Sequence, residues 1–401
     1  MVLHANIGSV SKIKSCMKIL NVLLFCLLQS ANLLAQIPVF ISGTDGHKSY
    51  RIPAIIKTPR GELIAFAEGR VNGSGDFGDI NIVMKKSKDR GMTWGGMKSI
   101  VDYKDLQAGN PAPVVDITDP TYPGGRIFLF YNTGNNHEGE VRKGNGLREI
   151  WYITSTDGGD HWSVPINITK QTHRPMQPTI NPEYDFNEDW RSYANTPGHA
   201  AQFTDGIYKG RIYVAANHSA GDPQPHFRDY ASHGYYTDDH GLSFQLSETV
   251  PVPGSNEATA TPLSNNRLML NARNQQGDKK YRIVAISQNG GQSWNQTYFD
   301  QQLPDPVCEG SILSMGIVHG KHRLAFINAA DTLQRDHLTL RISDDEGNTW
   351  KKSILVYQGS HPDAKSPSAY SDIVKVNNHM IGVLFERDNY SQIVFQQIRW
   401  K

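Results

Sequence analysis

Ser87-Lys88-Asp89-Arg90-Gly91-Met92-Thr93-Trp94 decides the fold, because its pattern returns four times along the chain. The further copies run Ser155 to Trp162, Thr237 to Phe244, Ser287 to Trp294 and Ser343 to Trp350. Each reads S/T-x-D-x-G-x-T/S-W/F, with His161 and Asn289 as the departures. The acid or amide can hydrogen-bond nearby backbone amides and stabilise a reversal. The Gly supplies a backbone conformation that other residues resist, and the hydroxyl can tie the turn to itself. Each copy therefore predicts a hairpin turn, and its last aromatic is expected to begin the return strand and pack inward. One D-x-G turn says little. Five with a shared aromatic end form an internal repeat, and such repeats fix architecture.

Strand-like runs precede four copies: Ile80 to Met84, Ile150 to Thr154, Tyr281 to Ile286 and Leu338 to Ile342. They are rich in β-branched and aromatic residues. The copies start roughly 50 to 80 residues apart, too far for a thin solenoid. That distance suits a four-stranded sheet with variable loops. The expectation is an all-β chain, a six-bladed β-propeller of four-stranded antiparallel sheets.

The chain has 401 residues and a net charge of +1, so nucleic acid is excluded as a partner and no bulk membrane affinity follows. Residues 1–35 read as a signal peptide. Lys12, Lys14 and Lys18 precede an apolar core from Ile19 to Leu28, too short for stable membrane insertion. Met17 opens a conventional leader and is an alternative start, and Cys26 raises a cell-surface lipoprotein alternative to a periplasmic or secreted protein. Residues 36–401 are expected to form a single propeller domain and a monomer. The polar run from Asn167 to Ser192 reads as a long loop over one face of the ring. Outside the leader only Cys308 remains, with no Cys-His pattern around it, which predicts a buried structural thiol. His161, His226 and His233 show no metal-ligand spacing and read as loop or surface residues.

The chemistry begins at Ser49-Tyr50-Arg51-Ile52-Pro53-Ala54, an Arg amid apolar residues on a first strand. A buried cation is costly unless paired. Arg273 ends the run Leu268-Met269-Leu270-Asn271-Ala272, and Arg335 stands before Leu338-Thr339-Leu340. Propeller strands from different blades converge on the central axis, so three arginines distant in sequence can meet there.

With these features the chain resembles the bacterial exo-α-sialidases, whose repeat is called the Asp box. The box is structural wherever it occurs, so it indicates propeller and not activity. Arg51-Ile52-Pro53 is similar to the family's R-I-P signature, and the resemblance implies that Arg51, Arg273 and Arg335 grip the sialic acid carboxylate. A planar guanidinium binds carboxylate bidentately. It further implies Asp76 as acid/base, with Asp79 as its competitor, Tyr370 as nucleophile and Glu257 as the base beside it. Arg70 would lie near O4 of the sugar, and Glu386 would hold Arg51. Asn110 stands where several bacterial members have an Asp at the pocket, and Thr196-Pro197-Gly198-His199 resembles a family loop.

The implied activity is release of terminal α-linked sialic acids from glycoproteins, glycolipids and oligosaccharides, with retention through a tyrosyl-enzyme intermediate. All the proposed groups are organic side chains, so no metal or cofactor is expected. Sialylated glycans are the expected partners. The alternatives are a trans-sialidase, inter- or intramolecular, and a non-catalytic Asp-box propeller that binds glycans.

Overall fold

The computed structural model describes residues 35–359 and 366–401. The leader, with Met17 and Cys26, lies outside the described residues apart from Ala35. The strands group by pairing into six blades. Blade 1 runs Ser49–Lys57, Leu63–Arg70, Ile80–Ser87 and Lys98–Val101, from the axis outward. Blade 2 runs Gln107–Asp116, Arg126–Gly134, Arg148–Ser155 and Ile166–Asn167. A single parallel bridge, Ile80 to Gln107, joins these two into one continuous sheet. Blade 3 runs Trp190–Asn195, Ile212–Ala220, Tyr230–Thr237 and Gln245–Leu246, with Ala201–Gln202 added beside its second strand. Blade 4 runs Ser255–Pro262, Leu268–Asn274, Tyr281–Ser287 and Gln296–Pro304. Blade 5 runs Gly310–Val318, Lys321–Ala329, Leu338–Ser343 and Lys352–Tyr357.

Blade 6 is built differently. Its first three strands are Ser368–Lys375, Met380–Arg387 and Gln392–Arg399, and Ile37–Ile41 pairs onto the last as its outer strand. The two ends of the propeller are thereby hydrogen-bonded into one sheet. Closing the ring this way leaves no open seam.

The core repeats the same logic. Six apolar clusters lie one at each junction between neighbouring blades. Phe128, Phe130 and Tyr152 of blade 2 meet Tyr235 and Phe244 of blade 3, for example, and Phe40 and Phe395 of blade 6 meet Ile55 and Ala65 of blade 1. Each sheet is therefore apolar on both faces, and burial between sheets supplies most of the stability.

The five Asp boxes all join the third strand of a blade to its fourth. In the first, the Gly91 amide donates to Ser87 Oγ at 2.7 Å and the Thr93 amide to Asp89 Oδ1 at 2.9 Å. The fifth repeats this, with Gly347 to Ser343 at 2.8 Å and Thr349 to Asp345 at 2.8 Å. Asn289 preserves the bond with its amide oxygen, accepting from the Ser293 amide at 3.0 Å. The box glycines adopt φ between 84° and 93°. They also touch the preceding blade: a Cβ on Gly91 would lie 2.1 Å from Phe395, and one on Gly347 would lie 2.6 Å from Met269. Only glycine meets both demands. The box aromatic does not begin the return strand. Trp94 and Trp162 precede it by four residues and Phe244 by one, so the ring wedges into the seam before the strand starts.

Two other expectations change. The segment from Asn167 to Ser192 contains a one-turn helix, Thr169–Thr172, and an isolated bridge between Met176 and Asp185. His161 and His226 are exposed, but His233 is fully buried. Its Nδ1 lies 3.0 Å from His218 Nδ1, and Trp190 stacks on the His218 ring at 3.6 Å. A neutral imidazole among aromatics behaves as a core residue, which sequence spacing does not reveal.

Candidate active site

The loops that carry site residues join second strands to third strands, on the face opposite the Asp boxes. The inner strands begin on that same face. Arg51, Glu257 and Tyr370 each occupy the third position of an inner strand, and Asn110 the fourth. Arg70, Arg273 and Glu386 sit at or next to the ends of second strands. Asp76 and Arg335 stand in loops between second and third strands.

The inner strands are irregular where it matters. Pairing register breaks between Arg51 and Ala54, Gly109 and Ala112, Ser255 and Ala258, and Ser368 and Ser371. A bulge re-aims side chains and is favoured beside functional sites. Ile52 has φ of 57° and Asn110 has φ of 52°, each just before a proline. Positive φ in a β-branched residue is a strained conformation, and buried carboxylates hold it. The Ile52 amide donates to Glu386 at 2.9 Å, and the Asn110 amide donates to Glu68 at 2.9 Å. The R-I-P signature thus reads as a bulge whose strain turns Arg51 toward the axis.

The result is a cleft of about 380 Å³ that Arg51, Arg70, Asp76, Asn110, Glu257, Arg273, Arg335 and Tyr370 line together. Glu386 lies beneath Arg51, 1 % exposed. It accepts Arg51 Nε at 2.7 Å and Nη2 at 3.3 Å, and also the Tyr370 amide at 3.1 Å. One carboxylate therefore fixes both a cleft arginine and the backbone of the tyrosine. Asp79 lines no part of the cleft, so Asp76 is the carboxylate at hand.

Tyr370 donates its hydroxyl to Glu257 Oε1 at 2.5 Å. Arg273 Nη1 donates to Glu257 Oε2 at 2.7 Å and to the Tyr370 hydroxyl at 3.1 Å. Burial, and then the Glu257 carboxylate, push the Tyr370 phenol well above its usual range despite Arg273 and Arg335. Tyr370 thus presents a neutral phenol with a carboxylate in contact. Arg335 reaches the Tyr390 hydroxyl and the Val307 carbonyl, both at 3.3 Å, and has no carboxylate partner among the described residues. Ile52, Cys308 and Ala369 form an apolar floor with Tyr370. Burial raises the Cys308 thiol to about 12, so it stays protonated as a packing group.

Asp76 stands at the mouth, its side chain 76 % exposed, 2.7 Å from Arg70 and 3.8 Å from Arg51. Desolvation by the cleft walls raises its carboxyl, but these two guanidiniums outweigh that and hold it below its usual range. Arg70 is itself paired with buried Glu68 at 2.6 Å.

Several groups were not legible in the sequence. Glu309, buried beside the site, accepts the Ser371 amide at 2.8 Å and so steadies the strand carrying Tyr370. Asp372 joins four blades at the axis: it accepts Ile55 N at 2.8 Å, His199 Nδ1 at 2.7 Å and Ser311 Oγ at 2.7 Å. That contact explains the loop ending in Gly198-His199. Gln107, Glu138, Arg142, Arg148, Tyr193 and Tyr230 also line the cleft. On the opposite face, Asp116, Asp119 and His240 place possible metal ligands within 4.8 Å of one another. Asp116 already takes His240 at 2.7 Å, and Asp119 takes Arg126 at 3.1 Å.

Comparison with known proteins points the same way. Residues 61–383 match the family described as a BNR repeat-like domain. The chain is 31% identical to a sialidase of Micromonospora viridifaciens over 86% of its own length, and it spans 51% of that relative. It is 29% identical to an exo-alpha-sialidase of Arthroderma benhamiae, over 91% of this chain and 84% of that one. The solved Hadza microbial sialidase Hz136 superposes with a TM-score of 0.75 at 25% identity, covering 91% of this chain and 68% of that one.

Proposed function

Because the chain belongs to the sialidase family, we propose that it is an exo-α-sialidase that hydrolyses terminal α-linked sialic acids with retention. The observation that carries this reading is the 2.5 Å contact of the Tyr370 hydroxyl with Glu257, inside a cleft that also holds Arg51, Arg273 and Arg335.

The substrate's anomeric carbon already bears a carboxylate, which would repel an anionic nucleophile. A neutral phenol meets no such repulsion, provided a base takes its proton as it attacks. Sialidases with a tyrosine nucleophile are a known exception to the two-carboxylate scheme of glycosidases. In the proposed first step the Tyr370 oxygen bonds to the anomeric carbon and its proton passes to Glu257. The glycosidic bond breaks, and Asp76 protonates the departing oxygen. In the second step Asp76 takes a proton from water, the water oxygen replaces the tyrosyl oxygen, and Glu257 returns its proton to Tyr370.

The acid role asks Asp76 to be protonated when substrate is bound, although in the free protein it is held ionised. The substrate carboxylate supplies the change. Seated on Arg51, it offsets one of the positive charges that hold Asp76 ionised, while those of Arg70 and Arg148 remain. Binding therefore moves Asp76 toward the protonated form.

The test is incubation of the purified protein with the two sialyllactose linkage isomers, with products followed by mass. Free sialic acid plus lactose is the expected outcome. A sialic acid product lighter by one water, or sialic acid moved onto added lactose, would mean the intramolecular or intermolecular trans-sialidase. No release from either isomer would sink the enzymatic reading.

A further inference from the structure

Six arginines line the cleft, and one has no partner among the described residues. Arg51, Arg70, Arg142 and Arg273 are each paired with a carboxylate, and Arg335 bonds to Tyr390 and Val307. Arg148 is 5% exposed, yet no acceptor among the described residues lies within hydrogen-bond or ion-pair reach of it. Its Nε is buried and unbonded, and so is Oε1 of Gln107, which is 4% exposed. A buried guanidinium and a buried amide oxygen each lose hydration without return unless a ligand supplies the bond.

The two form one device. Gln107, Gly134 and Arg148 are direct cross-strand neighbours on three adjacent strands of blade 2. Flanking residues in such a row stand about 10 Å apart at the backbone. The glycine between them leaves space for both side chains to lean inward. A Cβ on Gly134 would lie 3.0 Å from Arg148 Nε and 3.1 Å from Gln107 Oε1. The row therefore presents a charged donor and a neutral acceptor side by side, at the cleft wall.

Substrate geometry says what meets them, given the function proposed above, on which this inference rests. The carboxylate is held by arginines of blades 1, 4 and 5, and the nucleophile comes from blade 6. In a six-membered sialic acid ring, C5 lies directly across from the anomeric carbon C2, which carries the carboxylate. With the carboxylate on the arginines, the C5 substituent points at the remaining wall, blades 2 and 3. We propose that Gln107 and Arg148 are the receptor for the 5-N-acyl group, and that they favour an acyl chain ending in a hydroxyl over one ending in a methyl. A methyl can satisfy neither group. A hydroxyl can accept from Arg148 and donate to Gln107 at once. Sites built to hydrogen-bond a hydroxyl discriminate strongly against analogues that lack it, because the protein groups are left unpaired.

The experiment compares kcat/KM on two aryl sialosides that differ only in the acyl group, N-acetyl and N-glycolyl. Wild type should prefer the N-glycolyl substrate. Arg148→Met should lower the glycolyl-to-acetyl ratio by about tenfold or more, the worth of a hydrogen bond to a charged group. The ratio is the readout, because the Arg148 charge also acts on Asp76 and its loss can change turnover on both substrates together. Gln107→Leu should lower the same ratio by less, since the bond it removes is neutral. Equal losses on both substrates, an unchanged ratio, or a wild-type preference for N-acetyl would overturn the proposal. Among the described residues Arg148 has no hydrogen-bond or ion-pair partner to lose, so the variant should keep its melting temperature. If it does not fold, the wild-type preference and Gln107→Leu decide. A wild type inactive on both substrates fails the sialidase reading itself, whereas an active wild type with a flat ratio fails only this inference.

Discussion

The two walls of the cleft differ in what completes their key polar groups. On the wall of blades 4, 5, 6 and 1, charged groups are tied to protein partners: Arg51 to Glu386, Arg273 to Glu257, and Tyr370 to Glu257. On the wall of blades 2 and 3, Arg142 is tied to Asp229, but Arg148 has no carboxylate partner among the described residues and Gln107 keeps a buried oxygen unbonded. A fixed network suits a fixed demand. Every sialoside presents the same carboxylate and anomeric carbon, and donors held in place cost no reorganisation when charge develops. Unpaired groups suit a variable demand, since the ligand's own substituent completes them. Chemistry should therefore fail when the first wall is cut, and selectivity when the second is.

Tyr370→Phe makes the deepest cut in the first wall. It removes one oxygen that, among the described residues, bonds to Glu257 and Arg273 alone, so packing with Ile52, Cys308 and Ala369 should survive. Turnover should fall by orders of magnitude, while a sialic acid analogue should bind close to wild type. A fluorosialyl fluoride probe should label wild-type protein on the peptide holding Tyr370. Labelling of Glu257 instead would break the repulsion argument for a neutral nucleophile.

How far each wall could be read from sequence follows from the same difference. Arg51, Arg273 and Arg335 are costly residues beside apolar strands, and the five Asp boxes gave the frame in which they could meet. Blade 6 has no box for a structural reason: its outer strand, Ile37–Ile41, arrives from the other end of the chain, so there is no hairpin between its third and fourth strands. Five boxes thus mark six blades. Gln107 and Arg148 sent no such signal, because an isolated Gln or Arg is ordinarily a solvated residue. Their meeting depends on cross-strand register around Gly134, a long-range property. The same holds for Glu309 and Asp372, whose partners lie 62 and up to 317 residues away in the chain.

A smaller effect tests what stands behind the second wall. Tyr193, which lines the cleft, packs its other side on His173 at 4.6 Å and His233 at 5.3 Å. Burial lowers His173 and His218 well below the usual imidazole range, and it lowers His233 to about 3. Below about pH 6.5 the unfolded chain therefore takes up protons that the folded one refuses, so stability falls as pH falls from there toward 3. His199 runs the other way. Burial alone would lower it, but Asp372 raises it, so its contribution is full below pH 6.5 and is lost as pH rises through its folded value. Melting measured from pH 7 to pH 4 should show a steady decline, and His173→Phe should flatten it, since neither nitrogen of His173 has a partner to lose. A flat profile in wild type would mean that the buried cluster accepts protons after all, and that the second wall is less rigid than its packing implies.

The smallest effect belongs outside both walls and sets the baseline for the comparison. Asp345, on the far face, accepts Ser343 Oγ at 2.8 Å, the Thr349 amide at 2.8 Å and Thr349 Oγ1 at 2.6 Å. These bonds lie in a partly exposed turn, so water replaces part of what Asp345→Ala removes. The expected cost is about 1–2 kcal/mol of stability. The same change in any box that keeps its Asp should behave alike, because each box holds one turn against one neighbouring blade. Neither kcat nor the glycolyl-to-acetyl ratio should move, because no box residue lines the cleft. A shift in either would show that blade packing is transmitted to the site, and effects at Tyr370 or Arg148 could then no longer be assigned to their own walls without subtracting it.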